Sequence, residues 1–295
     1  MMHAHQHSHI SHETRRALGM SLGFTLLLFA VELAGGLWTH SIALLSDSFH
    51  VFVDGLALGL AYLSVTLAER PASSERTYGW HRAEVLAALA NGVFVAVLGF
   101  GIVWEAVQRM GNMVPIKTGP MLFVAVSGLL VNLVIAWKLH SFSHGDINVR
   151  GAFLHVIGDT LASVGVVVGG MIVHWSRLWI VDPLVGIFIA GLILVNGVRL
   201  IKDSVHILLE GVPDHLRLDD VVESIKEIPG VERVDDIHIW TICSHFCSMS
   251  AHVKVAFFQP DEQKKASAAI HSLLQTRYGI HHATIELSTD DPVQP

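Results

Sequence analysis

Charged side chains are scarce in this sequence. Asp, Glu, Lys and Arg make up 15% of the 295 residues, against 52% hydrophobic residues, a balance too apolar for an ordinary soluble domain of this length. Cysteine is nearly missing. The only two, Cys243 and Cys247, both fall in the last third of the chain, which excludes a disulfide framework. There is no basic excess either: the formal net charge is −7, and a nucleic-acid surface would need the opposite sign. A cleavable signal peptide is not expected. Met1 to His12 is polar and histidine-rich, and the first apolar run is long enough to span a membrane rather than be removed.

What is abundant is long apolar sequence. A membrane span needs about 20 predominantly apolar residues, and six segments qualify: Ala17 to Trp38, Ile42 to Leu67, Val85 to Val107, Gly119 to Trp137, Val149 to Val173 and Val181 to Leu200. Polar breaks separate them, such as Thr39-His40-Ser41, the stretch holding Pro71, and Gly111 to Lys117 with Pro115. From Val205 the composition turns ordinary. Leu218 to Ile228 reads as an amphipathic helix stopped by Pro229-Gly230, Val234 to Ile242 and Met249 to Phe257 alternate as strands, Pro260 opens a second helix to Tyr278, and Ala283 to Leu287 closes as a strand. The expected architecture is therefore an all-α membrane domain of six transmembrane helices over 17–204. A histidine-rich tail, 1–16, precedes it. A small α+β domain of ferredoxin-like type, with an antiparallel sheet, follows over 205–295.

Orientation follows from basic residues near the span ends. With the N-terminus in the cytoplasm, Arg15, Arg16, Arg70, Arg76, Arg82, Lys138, Arg150, Arg199 and Lys202 all lie inside, and only Arg109, Lys117 and Arg177 lie outside. An even number of spans then places both termini in the cytoplasm, in a multi-pass protein of the inner (cytoplasmic) membrane.

Ionisable groups inside a span are costly and mark function. The second span carries Asp47, His50 and Asp54; the fifth carries His155 and Asp159. Both contain His-x-x-x-Asp, and residues i and i+4 share one helix face. At about 1.5 Å rise per residue the two pairs come to a similar depth. His50, Asp54, His155 and Asp159 can therefore meet as four ligands. Two imidazoles and two carboxylates suit tetrahedral Zn²⁺ and argue against Mg²⁺ and Ca²⁺, which want oxygen shells. His50-Val51-x-x-Asp54 and His155-Val156-x-x-Asp159 each sit in the middle span of a three-span half, the pattern of an inverted repeat with a midplane site. Asp47, one turn before His50, either orients that histidine or packs as a polar residue. Glu32, Asn91, Glu105 and Asn132 are explained by helix-to-helix hydrogen bonds as well as by any function. A single histidine or aspartate in a span could equally be a packing residue; two matched pairs make that reading much weaker.

These residues resemble the cation diffusion facilitator family, and within it the bacterial zinc-efflux branch. The resemblance rests on Ser41 to Asp54, on Tyr78-Gly-Trp-His-Arg-Ala-Glu84, on His155-Val-Ile-Gly-Asp159, and on Ile237-His-Ile-Trp240 with Ser250-Ala-His-Val253. It implies a homodimer whose cytoplasmic domains pair and sense metal, and an exchange of Zn²⁺ for H⁺ by alternating access. It also implies that a histidine at position 50 favours Zn²⁺ over Cd²⁺. By position it implies metal ligands at His238, His252 and Glu286. Cys243, His245 and Cys247 lie in the turn between two strands, where they either add thiolate ligands or form a reduced, partly buried hairpin. Some relatives bind metal in the loop after the second span. This chain offers mainly Glu69, Glu75 and His81 there, with Trp80 where a ligand would sit, so that site is expected to be missing. His3, His5, His7, His9 and His12 form a tail that either captures Zn²⁺ weakly or is dispensable.

Other classes fit less well. An intramembrane zinc protease wants a His-Glu-x-x-His helix, which the sequence lacks. A sensor anchored by its membrane part needs no ionisable residues at mid-depth in two spans. A channel needs no proton coupling. The sequence therefore points to a transporter rather than an enzyme, with membrane lipid, Zn²⁺ and H⁺ as its partners.

Overall fold

The computed structural model describes residues 12–68, 72–140, 147–243, 246–256 and 259–289, excepting the side chains of 12–21, 138–140, 147–155 and parts of the second half of α2. Six long helices come first: α1 (His12–Thr39), α2 (Ile42–Ala68), α3 (Arg82–Gly111), α4 (Thr118–His140), α5 (Ile147–Ser176) and α6 (Val181–Leu208). A short helix, α7 (Leu218–Lys226), leads into β1 (Val231–Cys243), β2 (Phe246–Val255), α8 (Pro260–Tyr278) and β3 (His282–Ser288). The chain divides into two compact units, 1–65 with 90–201, and 66–89 with 202–295.

Among the described residues, five helices are long and apolar enough to cross a bilayer, through windows Leu22–Thr39, Arg82–Gly111, Thr118–Trp137, Val156–Ser176 and Val181–Leu208. Exposed Phe100, Trp104, Phe123, Trp137, Leu161 and Phe188 give these helices apolar outer faces, as lipid contact requires. α2, the remaining long helix, has 27 residues and holds Asp47, His50 and Asp54. Small residues let the helices approach closely. A side chain at Gly186 of α6 would collide with Ile42 of α2, and one at Gly170 of α5 with Met121 of α4.

The turn between α1 and α2 is held from several sides. His40 takes a left-handed φ of 63°, and Arg109 donates to its carbonyl at 2.7 Å. Ser41 caps α2, its Oγ accepting from the Leu44 amide at 3.1 Å, as a serine at a helix start does. Asp182, at the start of α6, accepts from Ser41 Oγ at 2.5 Å and from the Ile42 amide at 2.6 Å.

In the second unit, α7 and α8 cover one face of a three-stranded sheet ordered β1-β2-β3. Val221, Ile225, Ile239, Met249, Val253, Ile270 and Leu274 form its core. Pro260 opens α8, and Gly279 closes it at φ 67°, the left-handed position that favours glycine. The alternating strands predict an antiparallel sheet. β1 and β2 are antiparallel, but β3 runs parallel to β2, with His252 opposite Glu286. The cause is α8: a helix between two strands carries the chain back to the starting end, so the next strand enters in the same direction.

Candidate metal centre

α2 and α5 build the centre. Because Asp54 lies four residues after His50, both side chains leave α2 on one face, and Asp159 of α5 meets them. His50 Nε2 stands 3.0 Å from Asp159 Oδ1. One ligand atom from each of His50, Asp54 and Asp159 lies within 4.8 Å of the others, and among the described residues this is the one such group of three or more His, Cys, Asp and Glu. Ligands around Zn²⁺ with bonds of about 2 Å sit roughly 3.3 Å apart in a tetrahedron, so the cluster needs little movement to close on an ion. All three residues are half-buried. His155 lies one turn before Asp159 in α5; its side chain is outside the described residues.

The three residues line a cavity of about 570 Å³, which runs between α2, α3, α5 and α6 past Asn91 and Asn196 to Arg199 and Leu200. At the opposite end of α2 the Asp182 bonds to Ser41 and Ile42 tie α6 to α2.

Behind the centre lies a buried polar chain. Asn132 of α4 donates to Ser163 Oγ at 3.2 Å, and Ser163 of α5 donates to Asp47 Oδ2 at 3.3 Å. Asp47 thus links α2 to α5. Of the other polar residues singled out in the spans, Asn132 makes the interhelical bond expected of it. Glu105 instead pairs with Arg109 of its own helix at 2.9 Å. Glu32 Oε2 and Asn91 Oδ1 are buried with no hydrogen-bond partner among the described residues.

The second unit holds a separate cluster. His252 Nε2 is 3.6 Å from Glu286 Oε2, as parallel pairing of β2 with β3 allows. His238 joins through a residue that sequence reasoning missed: Asp236 lies 3.1 Å from His238 Nε2 and 3.8 Å from His252 Nε2. Asp236 sits in an irregularity of β1, between Asp235 and His238, with φ 47°. An interruption of the ladder re-aims a side chain, and no period-2 pattern could have foretold it.

The thiols lie elsewhere. Five residues of strand, about 17 Å at 3.4 Å per residue, separate Cys243 from His238. Cys243 Sγ stands 3.7 Å from His81 Nδ1, so His81 of the loop before α3 faces the hairpin. Cys247 contacts Thr241 Oγ1 at 4.0 Å, and burial pushes its thiol above the ordinary value. His245, Glu69 and the tail residues His3, His5, His7 and His9 are outside the described residues. His12 opens α1, its side chain likewise undescribed.

Comparison with known proteins agrees with this architecture. The family described as "Cation efflux transmembrane domain" matches residues 18–209, and "Cation efflux protein, cytoplasmic domain" matches 213–289. The chain is 38% identical to "Zinc transporter ZitB" of Escherichia coli (strain K12) over 295 aligned residues, covering 96% of this chain and 92% of that protein. It is 34% identical to "Metal cation efflux system protein CzcD" of Cupriavidus metallidurans over 282 residues, covering 96% and 89%. It is also 34% identical to "Cadmium, cobalt and zinc/H(+)-K(+) antiporter" of Bacillus subtilis (strain 168) over 291 residues, covering 96% and 92%. With both domains matched and relatives aligned nearly end to end, the chain belongs to the cation diffusion facilitator family, in its bacterial zinc and cobalt efflux branch, and is a multi-pass membrane transporter rather than an enzyme.

Proposed function

We propose that the protein exports Zn²⁺ from the cytoplasm in exchange for H⁺, by alternating access through a tetrahedral site of His50, Asp54, His155 and Asp159. The observation that carries this reading is the meeting of His50, Asp54 and Asp159, from two helices, in the wall of one cavity. An imidazole among carboxylates favours a transition metal over Mg²⁺ or Ca²⁺. The zinc transporters among the relatives support the same cargo.

In this reading α1 to α6 all span the inner membrane and both termini lie in the cytoplasm. The domain boundaries fall near 17 and 205. The cavity that ends at Arg199 then opens to the cytoplasm, so the arrangement is the loading state. Zn²⁺ displaces the contact between His50 and Asp159, because imidazole and carboxylate ligate only when deprotonated. Opening of the far end, where Asp182 holds α2, exposes the ion to more acid surroundings. Protonation there releases it.

The 213–289 domain, of ferredoxin-like type, pairs two protomers. His238, His252 and Glu286, with Asp236, hold a regulatory metal on it. His81 serves the hairpin rather than a metal in its loop, and the histidine tail concentrates Zn²⁺ without being required for transport.

The test is Zn²⁺ flux into proteoliposomes with an internal pH dye, for wild type and Asp159→Ala. Zn²⁺ entry matched by proton exit, and lost in the variant, is the expected result. Zn²⁺ entry without proton movement refutes antiport. Wild-type flux in Asp159→Ala refutes the site.

A further inference from the structure

Glu32 of α1 is 1% exposed, and among the described residues its Oε2 has no hydrogen-bond partner. Its carboxyl lies against Gly128 of α4, where a side chain would collide with Oε1. The glycine makes room for an acid that the fold could have excluded. Among the described titratable groups, Asp47 and His50, both of α2, bear on it electrostatically. From α4, packed on its other side, the group at the carboxyl is Gly128. Neither Glu32 nor Asp47 lines the metal cavity.

A buried carboxylate with one oxygen facing no donor costs several kcal/mol, and it does so in a membrane as in a protein core. A second buried acid, Asp47, at 2% exposure, adds like-charge repulsion. A neutral carboxyl avoids both penalties. We propose that Glu32 is a proton-binding residue of the transport cycle, distinct from the metal ligands, which holds a proton while the site is empty and gives it up when Zn²⁺ binds. The proposal rests on the Zn²⁺/H⁺ exchange reading above and adds to the ligands a further residue that couples the two ions. Zn²⁺ at His50, Asp54 and Asp159 brings positive charge to the place from which His50 already acts on Glu32. That charge favours the carboxylate over the acid. The O–H bond of Glu32 then breaks, its electron pair stays on the carboxylate, and the proton passes to water. When Zn²⁺ leaves, the carboxylate takes a proton back. Metal and proton thus exclude one another through the field between two sites that share no atom.

The test is a count of protons released when Zn²⁺ is added to purified full-length protein in weakly buffered solution, with Zn²⁺ binding followed in parallel. Glu32→Gln is expected to bind Zn²⁺ and to release about one proton fewer per ion than wild type, and Glu32→Asp to restore the count. An unchanged count in Glu32→Gln overturns the proposal and leaves antiport standing. Wild type that binds Zn²⁺ and releases no proton refutes the exchange reading itself. Infrared difference spectra give a second readout should Glu32→Gln not fold. Wild type is expected to lose a protonated-carboxyl C=O band on Zn²⁺ addition, and Glu32→Asp to show it shifted. No such band in wild type overturns the proposal.

Discussion

Asp182 of α6 accepts two hydrogen bonds from the start of α2, one from Ser41 Oγ at 2.5 Å and one from the Ile42 amide at 2.6 Å. All three groups are buried. Removing the acceptor leaves two donors without partners, at about 1–3 kcal/mol each. Asp182→Ala is expected to lower the thermal midpoint in detergent by several degrees. Asp182→Asn, which keeps an acceptor oxygen, is expected to lower it less. Equal midpoints for wild type and Asp182→Ala would show that the clamp contributes nothing to stability.

Ser163→Ala removes the donor to Asp47 and the acceptor of Asn132 together. Asp47 Oδ2 and Asn132 Nδ2 each lose that bond in a buried setting, which costs about 1–3 kcal/mol. The expected result is reduced thermal stability with Zn²⁺ affinity within a few-fold of wild type, since the ligands themselves stay. Calorimetric titration checks the affinity. A large loss of affinity would mean that Ser163, by holding Asp47, also sets the metal site.

His50→Asp replaces the imidazole with a carboxylate and makes the centre richer in oxygen. We expect the variant to admit Cd²⁺ while wild type discriminates against it, as read from vesicle uptake of each ion. Background Cd²⁺ uptake by the variant would place selectivity elsewhere in the chamber.

In the 213–289 domain, Asp236→Asn keeps a residue tolerant of left-handed backbone and removes the negative charge shared by His238 and His252. With the transport site disabled by Asp159→Ala, equilibrium dialysis of the full chain is expected to show Zn²⁺ binding weakened by about tenfold, the loss of one charged ligand. Unchanged binding would leave the three-residue set without Asp236.

Cys247 gives a pH prediction. Burial raises its thiol above the ordinary value, so at neutral pH the reactive thiolate is rarer than in an exposed cysteine. Alkylation by iodoacetamide is expected to be slow at neutral pH. It should climb only at pH values above those that activate a free thiol. The sign for stability follows: the unfolded thiol ionises first, so this group's contribution falls as pH rises past its unfolded value. Rapid labelling at neutral pH would contradict the burial.

The sequence carried the helices well because a membrane leaves few ways to hide backbone polar groups. α2 runs Ile42–Ala68 and α4 Thr118–His140, within a few residues of the apolar runs. The approach of Asp159 to His50 and Asp54 was legible for a related reason: acids and histidines are so costly in such helices that their spacing carries information. Other features depended on neighbours distant in the chain. Asp182 draws its meaning from Ser41, and Asp236 from a local fault in β1. The direction of β3 depended on how α8 crosses the sheet, and Glu105 found its partner within its own helix rather than on another.

Both sulfur atoms of cysteine lie on β1 and β2, while the cavity around His50 presents nitrogen and oxygen donors. Soft monovalent ions such as Cu⁺ and Ag⁺ favour thiolate and thioether shells and find none among those donors. By donor softness, a chamber of imidazole and carboxylate is expected to favour borderline Zn²⁺ over Cu⁺ and Ag⁺, a preference that competition of each ion with Zn²⁺ uptake in vesicles would read.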